Sequence, residues 1–469
     1  MPKLQKNDLL TLTVEDFNNL GHGVAHLKNE DGSRGMTVFV TGGVPGDVLE
    51  ARIIKCNKQY LVAKTECIKT PSPWREGGSP CAAKGCGGCI YRAIGYDREK
   101  QLKEDYVRSA FRKAGLPSVT VEPVRSTDEL CHYRNKAQYP VRNGKNGMEA
   151  GFFASGTHRV VPAAFCQLQP PVFEKILNTV CAFCDEKQIR AYNEEDGSGI
   201  LRHVYLRMGA VTGEVMVCLV VNAQSLPFED ELAERLHTEF EQIKSILINP
   251  NMKNTNVVLG KDFRVIFGRE WIEDTLCSLT FRISAGSFYQ VNHDACELLY
   301  GIAKEKAMLA GKETLLDLYC GIGTIGLSMA ERAERVVGIE IVEEAVACAQ
   351  KNAEINGITN ARFFCGDASD ASKLLAGAEE AEGAFDPLRT TVILDPPRKG
   401  STRELIEYLC ARGFGRVVYV SCNPDTLARD CAVFAELGYT IGTVTPVDMF
   451  PRTGHVESVV CLTRSDKAT

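Results

Sequence analysis

Gly321-Ile-Gly323-Thr-Ile-Gly326 stands between an apolar run, TLLDLYC, and a segment of helical character, and this leaves few folds to choose from. KETLLDLYC, RVVGIE, ARFFCGDA, TTVILDPPRKG and RVVYVSCNP are strand-like, and helical stretches such as EEAVACAQKNAEINGI lie between several of them. Strands alternating with helices predict a mostly parallel, doubly wound sheet, with ligands outside the carboxyl ends of its strands. At that edge the runs end in Cys, Glu, Gly-Asp, Asp-Pro-Pro and Cys-Asn-Pro. This α/β domain is expected over residues 284–469.

At roughly 150 residues per domain, a chain of 469 residues has room for about three. Over residues 1–70, LLTLTVEDF, HGVAHL, MTVFV, DVLEARIIKCN and QYLVAKTECI read as five short strands between turn signals. They predict a small closed barrel of the oligonucleotide-binding kind. A Pro/Gly-rich connector then leads to clustered cysteines. From Asp97 the spacing of Leu102, Tyr106 and Ala110 predicts a helix, stopped at Gly115-Leu-Pro. Residues 71–283 otherwise mix strands and helices in no recognisable order, a mixed α/β domain. Cationic and aromatic residues interleave in CHYRNKAQYPVRNGK and GFFASGTHR, which suits stacking on unpaired bases and equally suits a solvated face. AGAEEAEGAFD reads as a surface loop.

Apolar residues at 44% and charged residues at 24% exclude a disordered or collagenous chain. No run of about 18 apolar residues predicts a membrane span. MPKLQKNDLLTLTVEDF does not read as a signal peptide, so a cytoplasmic location is expected. Nineteen cysteines, an odd number without an export signal, point to metal binding, nucleophilic catalysis or buried thiols rather than to disulfides. The net charge of −6 speaks against a surface that coats nucleic acid throughout. Residues 90–145 nevertheless carry 12 Lys/Arg against 7 Asp/Glu, whereas residues 284–469 carry 18 against 26. A basic patch on an acidic body is compatible with a nucleic-acid footprint.

Gly321, Gly323 and Gly326, with Thr324 opening the helix and Glu340 ending the next strand, match the dinucleotide fingerprint. The same turn and acid serve any adenosine-bearing ligand. Asp317 lies in the strand before the loop, where it is expected to face the ligand. A pyrophosphate has no need of a carboxylate there, whereas a sulfonium and an amino group tolerate one. With Asp367 ending a third strand and Asp395-Pro-Pro a fourth, the set favours S-adenosylmethionine over a nicotinamide dinucleotide.

Ser421-Cys422-Asn423-Pro424 closes another strand at the same edge. Free backbone N–H groups in such a loop are expected to lower the thiol's pKa. A methyltransferase needs a thiolate only when its target carbon is not nucleophilic, and C5 of uracil is such a carbon. Addition of sulfur to C6 makes C5 able to attack a methyl group, after which a base removes the C5 proton. Glu457 is the candidate base, with His455 expected on the same face of a strand. Enzymes that methylate exocyclic amines pair Asn/Asp-Pro-Pro with an aromatic, and here Arg398 stands instead, which suits a phosphate or an enolate oxygen.

Cys81-x4-Cys86-x2-Cys89, with Cys166 far downstream, suits zinc or a [4Fe–4S] cluster. Zinc sites more often show two C-x2-C pairs, which favours iron–sulfur. A radical enzyme needs a tighter C-x3-C-x2-C, so the cluster reads as structural or as a positioner of RNA.

DLYCGIGTIGL, DPPRKG, SCNP, MFPRTGHVE and the cysteine cluster together resemble the RNA uracil-C5 methyltransferase family, over essentially the whole chain. The chain is most similar to the bacterial 23S ribosomal RNA (uridine-C5) branch, with its N-terminal TRAM barrel and iron–sulfur cluster. The resemblance implies a TRAM barrel, a mixed central domain and a Rossmann-like methyltransferase domain. It implies Cys422 as nucleophile and Glu457 as base. Gln290, Tyr319, Glu340, Asp367 and Asp395 would hold the donor, and Cys81, Cys86, Cys89 and Cys166 the cluster. Members acting on transfer RNA generally lack barrel and cluster, which makes ribosomal RNA the expected target of a monomer. Arg452 stands where many members have His, which bears on substrate preference.

Overall fold

The computed structural model describes residues 4–465 apart from 19, 30, 78–80, 82, 84, 164 and 367–370. The N-terminal sheet has six strands, in the order Leu9–Thr13, Val48–Cys56, Tyr60–Thr70, Arg34–Thr41, Gly23–Lys28 and Asp16–Phe17. The first segment bends after Thr13, so one half pairs with Val48–Cys56 and the other with Gly23–Lys28. It thereby joins both edges and closes the barrel around Leu12, Val38, Val40, Leu49 and Ile53. No Gly or Pro marks that bend, which is why five strands were expected and six are found.

The central sheet runs Arg264–Gly268, Ile243–Pro250, Val215–Val221, Leu201–Met208, Lys136–Gly144, Gly147–Phe153 and Val160–Pro162. Helices Pro171–Glu186 and Glu229–Glu239 cover one face, with Val204, Val217 and Ile246 turned towards them. The other face, with Tyr205, Met216 and Leu247, joins the core of the C-terminal body. Burial on both faces makes VMVCLVV apolar throughout and erases the alternation that marks a half-exposed strand. Tyr133 and Tyr139 of CHYRNKAQYPVRNGK are buried here, so these two rings are core rather than a stacking surface or a solvated face.

The C-terminal sheet runs Ala361–Cys365, Arg335–Glu340, Thr314–Leu318, Thr390–Leu394, Arg416–Ser421, Glu457–Arg464 and Tyr439–Ile441. Its first five strands are parallel, and Glu457–Arg464 runs against them. Two earlier segments build this body as well. Val107, Ala110 and Phe111 of the helix Tyr96–Lys113 pack into its core beside Leu427 and Phe434, and the hairpin Trp271–Ser284 contributes Ile272, Phe281 and Ile283. AGAEEAEGAFD is not a loop throughout: a helix covers Ala371–Glu382, as its Ala and Glu content favours. The strand order reverses at Thr314–Leu318, and an α/β sheet opens its ligand crevice at such a reversal.

Candidate active site

At that reversal the chain leaves Leu318 through Tyr319, whose φ is 69°, and reaches Gly323, which caps the short helix Thr324–Met329 with φ 84°. The Gly326 N–H donates to Asp317 Oδ2 at 2.9 Å, and a Cβ at Gly326 would stand 2.8 Å from that oxygen. Asp317 is completely buried and its Oδ2 pins the turn from beneath; its Oδ1 has no partner among the described residues. Glu340 accepts from the Gly321 N–H and the Val342 N–H, both at 3.0 Å, which fixes its carboxylate at the mouth of the loop. The Thr324 hydroxyl hydrogen-bonds the Tyr300 hydroxyl at 2.8 Å. Gln290 is buried, its backbone carbonyl accepting from Asn135 Nδ2 at 2.9 Å, and Tyr319 packs half-buried beside the sheet core. Asp367 lies outside the described residues.

Strand register brings Cys422 and Glu457 together. Ser421 and Ser458 are partners across the antiparallel pair, so Cys422 and Glu457 occupy the next position, opposite one another at the strand ends. The parallel partner Leu394 places Asp395 at the same edge, opposite Val420. Asn423 caps the helix Pro424–Glu436 by accepting from the Asp425 N–H, and Pro424 takes the first helical position, where a missing N–H costs nothing. Asn423 also donates to the Arg398 carbonyl at 3.0 Å, tying SCNP to DPPR. His455 precedes the strand rather than lying in it, and its ring faces the Arg398 guanidinium at 3.2 Å.

Cys422 sits at a helix N-terminus, which lowers a thiol's pKa, yet its pKa is raised to about 11. Burial, then the charges of Glu457 and Asp395, outweigh Arg398 and the loop's own backbone hydrogen bond. Burial, reinforced by Asp395, raises Glu457 to about 8; burial raises Asp395 to about 7. Asp317 also rises to about 7, through burial and then the Asp395 and Glu340 charges. Burial, then the charges of Arg398, Lys103 and Arg134, lowers His455 to about 4 and keeps it neutral.

These carboxyls hold protons in the folded state that the unfolded chain releases near pH 4. Their contribution to stability is fully present below that pH and is lost as pH rises to about 8. The urea midpoint of the ligand-free protein should therefore fall between pH 5 and 8, and Glu457→Gln should flatten the upper part of that fall. Parallel profiles for the two proteins would contradict the assignment.

The loop before Glu457 is fastened from the other end of the chain. Lys103, fully buried, donates to Asp448 Oδ1 at 2.7 Å, to Glu99 Oε1 at 2.8 Å and to the Phe450 carbonyl at 3.2 Å. The Tyr96 hydroxyl donates to Asp448 Oδ2, and the Arg452 N–H to Glu99 Oε1. Arg452, in the left-handed region at φ 72°, also reaches the Ile94 carbonyl.

Cys81, Cys86, Cys89 and Cys166 line one cavity of about 280 Å³ together with Arg92, Arg134 and Lys136. Backbone bonds from His132 and Arg134 to the carbonyls of Gln167 and Leu168 hold the Cys166 loop against it. Burial, then the neighbouring thiols Cys166, Cys86 and Cys81, pushes Cys89 up to about 12. A donor set of four thiols fits a soft-metal centre. Among the described residues no three His, Cys, Asp or Glu side chains stand close enough, as placed, to hold a metal ion.

Residues 95–465 match the family described as tRNA (Uracil-5-)-methyltransferase, and residues 3–65 match the TRAM domain. The chain is 39% identical over 467 residues to an uncharacterized RNA methyltransferase of Bacillus cereus, covering 99% of each chain. It is 40% identical over 461 residues to one of Halalkalibacterium halodurans, covering 98% of each. Its fold is similar to the crystal structure of the Pyrococcus abyssi tRNA (uracil-54, C5)-methyltransferase in complex with S-adenosyl-L-homocysteine. The TM-score is 0.75 at 28% identity, over 96% of this chain and 98% of the other.

Proposed function

The chain belongs to the tRNA (uracil-5-)-methyltransferase family and is an S-adenosylmethionine-dependent RNA methyltransferase, and from this premise we propose that it methylates C5 of a uridine through a covalent bond from Cys422. The observation that carries the proposal is the placement of Cys422 opposite Glu457 at the crevice edge, with Asp395 beside them. A uridine must leave its stack to reach this edge. The Cys422 thiolate adds to C6, and the electron pair of the C5=C6 bond passes through the ring to make C5 nucleophilic. When bound, S-adenosylmethionine supplies the electrophilic methyl group, on a sulfur whose positive charge favours the anionic forms of the surrounding acids. Glu457 then takes the C5 proton, the pair left behind re-forms C5=C6, and the sulfur departs as thiolate. Arg398, whose charge already favours both anions, faces the same space.

Glu340, oriented by two backbone N–H groups, would take the ribose hydroxyls of the donor. The loop Gly321–Thr324, Tyr319, Gln290, Asp367 and Asp395 would complete its site, and the unpartnered Oδ1 of Asp317 beneath the loop suits a polar or cationic ligand. The four thiols are proposed to hold a [4Fe–4S] cluster, whose ligands stand further apart than those of a single ion. Nineteen free cysteines suit a reducing compartment, and the reading is of a cytoplasmic monomer.

Ribosomal RNA is the proposed target on the strength of the motif resemblance. Transfer RNA is the second reading, favoured by the full-length likeness to the Pyrococcus abyssi enzyme, with which barrel and central domain alike are shared. The test is anaerobic purification, assay of iron and sulfide, and incubation with labelled donor and deproteinised 23S RNA or transfer RNA. Label in 5-methyluridine of 23S RNA is expected. Label only in transfer RNA would move the target, and label in any other nucleoside would end the proposal.

A further inference from the structure

Between the strands Ile243–Pro250 and Arg264–Gly268 the chain makes a long excursion without regular structure, residues 251–263. It exposes large apolar side chains: Met252 at 54%, Val257 at 64% and Phe263 at 38%. Lys253 and Lys261 are exposed among them, and neither ammonium meets a carboxylate among the described residues.

The excursion is nonetheless shaped in detail by buried polar side chains. Asn249 donates to the carbonyls of Gly260 and Asp262 at 3.2 and 2.7 Å and accepts from the Gly260 N–H at 2.7 Å. Asn251 donates to the carbonyls of Val257 and Val258 at 2.8 and 3.0 Å. Arg202 donates to the carbonyls of Asn251 and Lys253 at 2.6 and 2.8 Å. These three side chains are buried, and buried donors are satisfied in a native fold. Here the loop's own carbonyls satisfy them, which presets its shape and holds its apolar tips in water.

The loop also lies against the segment that leads to Gln290, which is proposed above to help hold the donor. Atom Cε2 of Phe263 lies 3.7 Å from where a Cβ of Gly286 would stand. Gly286 belongs to the segment that presents Phe288, 66% exposed, and continues to Gln290. Arg207, fully buried, holds that segment by donating to the carbonyls of Ser284 and Ser287 at 2.7 and 2.8 Å.

We propose that residues 251–263 form a preset platform for unpaired nucleotides flanking the target uridine, with Phe263 stacking on a base, Met252 and Val257 packing beside it, and Lys253 and Lys261 meeting phosphates. The inference rests on the proposed uridine chemistry for its target, but the platform itself is read by binding alone. Apolar faces interleaved with unpaired cations match single-stranded RNA, which presents bases and phosphates in alternation. The test uses full-length Phe263→Ala, Phe263→Trp and Lys253→Ala/Lys261→Ala proteins and deproteinised 23S RNA.

Phe263→Ala is expected to weaken RNA binding and raise KM for RNA by about 5- to 100-fold, with kcat at saturating RNA, donor affinity and unfolding midpoint unchanged. Phe263→Trp should restore binding. The double lysine variant should lessen the salt dependence of binding. RNA binding unchanged in Phe263→Ala would overturn the platform. So would a loss of affinity only for a ribosomal protein added to the RNA, which would make the loop a protein contact. Failure of the wild type to methylate uridine would instead strike the proposed function and leave this binding comparison valid.

Discussion

Cys422→Ala is expected to lower 5-methyluridine formation by about 10⁴-fold or more, because no other group in the crevice replaces a nucleophile that makes C5 reactive. Donor affinity and unfolding midpoint should be unchanged: the side chain is half-buried and forms no part of the turn held by Asn423 and Pro424. Glu457→Gln is expected to behave differently. It retains addition and methyl transfer but not removal of the C5 proton, so a covalent protein–RNA species should accumulate on a denaturing gel. The double variant Cys422→Ala/Glu457→Gln should show no such species. Substantial turnover by Cys422→Ala would remove the covalent step, and rapid turnover by Glu457→Gln would remove Glu457 as the base.

Lys103→Met is expected to destabilise the protein by about 3–5 kcal/mol, read as a lower urea midpoint of the transition that includes the C-terminal body. Removing the ammonium strands Glu99 and Asp448, both fully buried, with no cation between them. Arg452 lies 3.6 Å from Glu99 and makes no ion pair with Asp448 among the described residues, so it does not replace Lys103 between them. Asp448→Asn should cost less, since Lys103 keeps Glu99 as its partner and the Tyr96 hydroxyl keeps an acceptor. Because the same ion pairs anchor the loop before Glu457, the activity that survives in Lys103→Met should be limited by proton removal and should accumulate the covalent species. An unchanged midpoint would show that the network does not hold the loop.

How much of this was written in the sequence depends on how local each feature is. The strand–loop–helix turn at Gly321 and the strand ends at Glu340 and Asp395 are set by neighbours in sequence, and their placement was legible. Glu457 was legible as a candidate base for Cys422, but their position opposite one another was not, because strand register across 35 residues leaves no local mark. The bond from the Gly326 N–H to Asp317 was not legible, because an acid four residues before a glycine looks the same with or without it. The thiol's pKa was misjudged for a related reason. The loop backbone that lowers it is sequential, whereas the burial that raises it most, and then the two carboxyls, come from the packing of other strands. The central sheet was opaque because burial on both faces removes periodicity. The Lys103 network joins residues some 345 apart in sequence and gave no signal at all.

The central claim is a bond between Cys422 and C6 of a uridine. It is tested most directly with RNA in which 5-fluorouridine replaces uridine, incubated with the protein and S-adenosylmethionine and run under denaturing conditions. Fluorine at C5 cannot leave as a proton, so the adduct should persist after methyl transfer. A retarded band is expected whose crosslinked peptide contains Cys422 and whose nucleotide carries the new methyl group. No band, from a preparation that methylates the unsubstituted RNA at C5, would contradict the covalent mechanism, as would a crosslink mapping to any other residue.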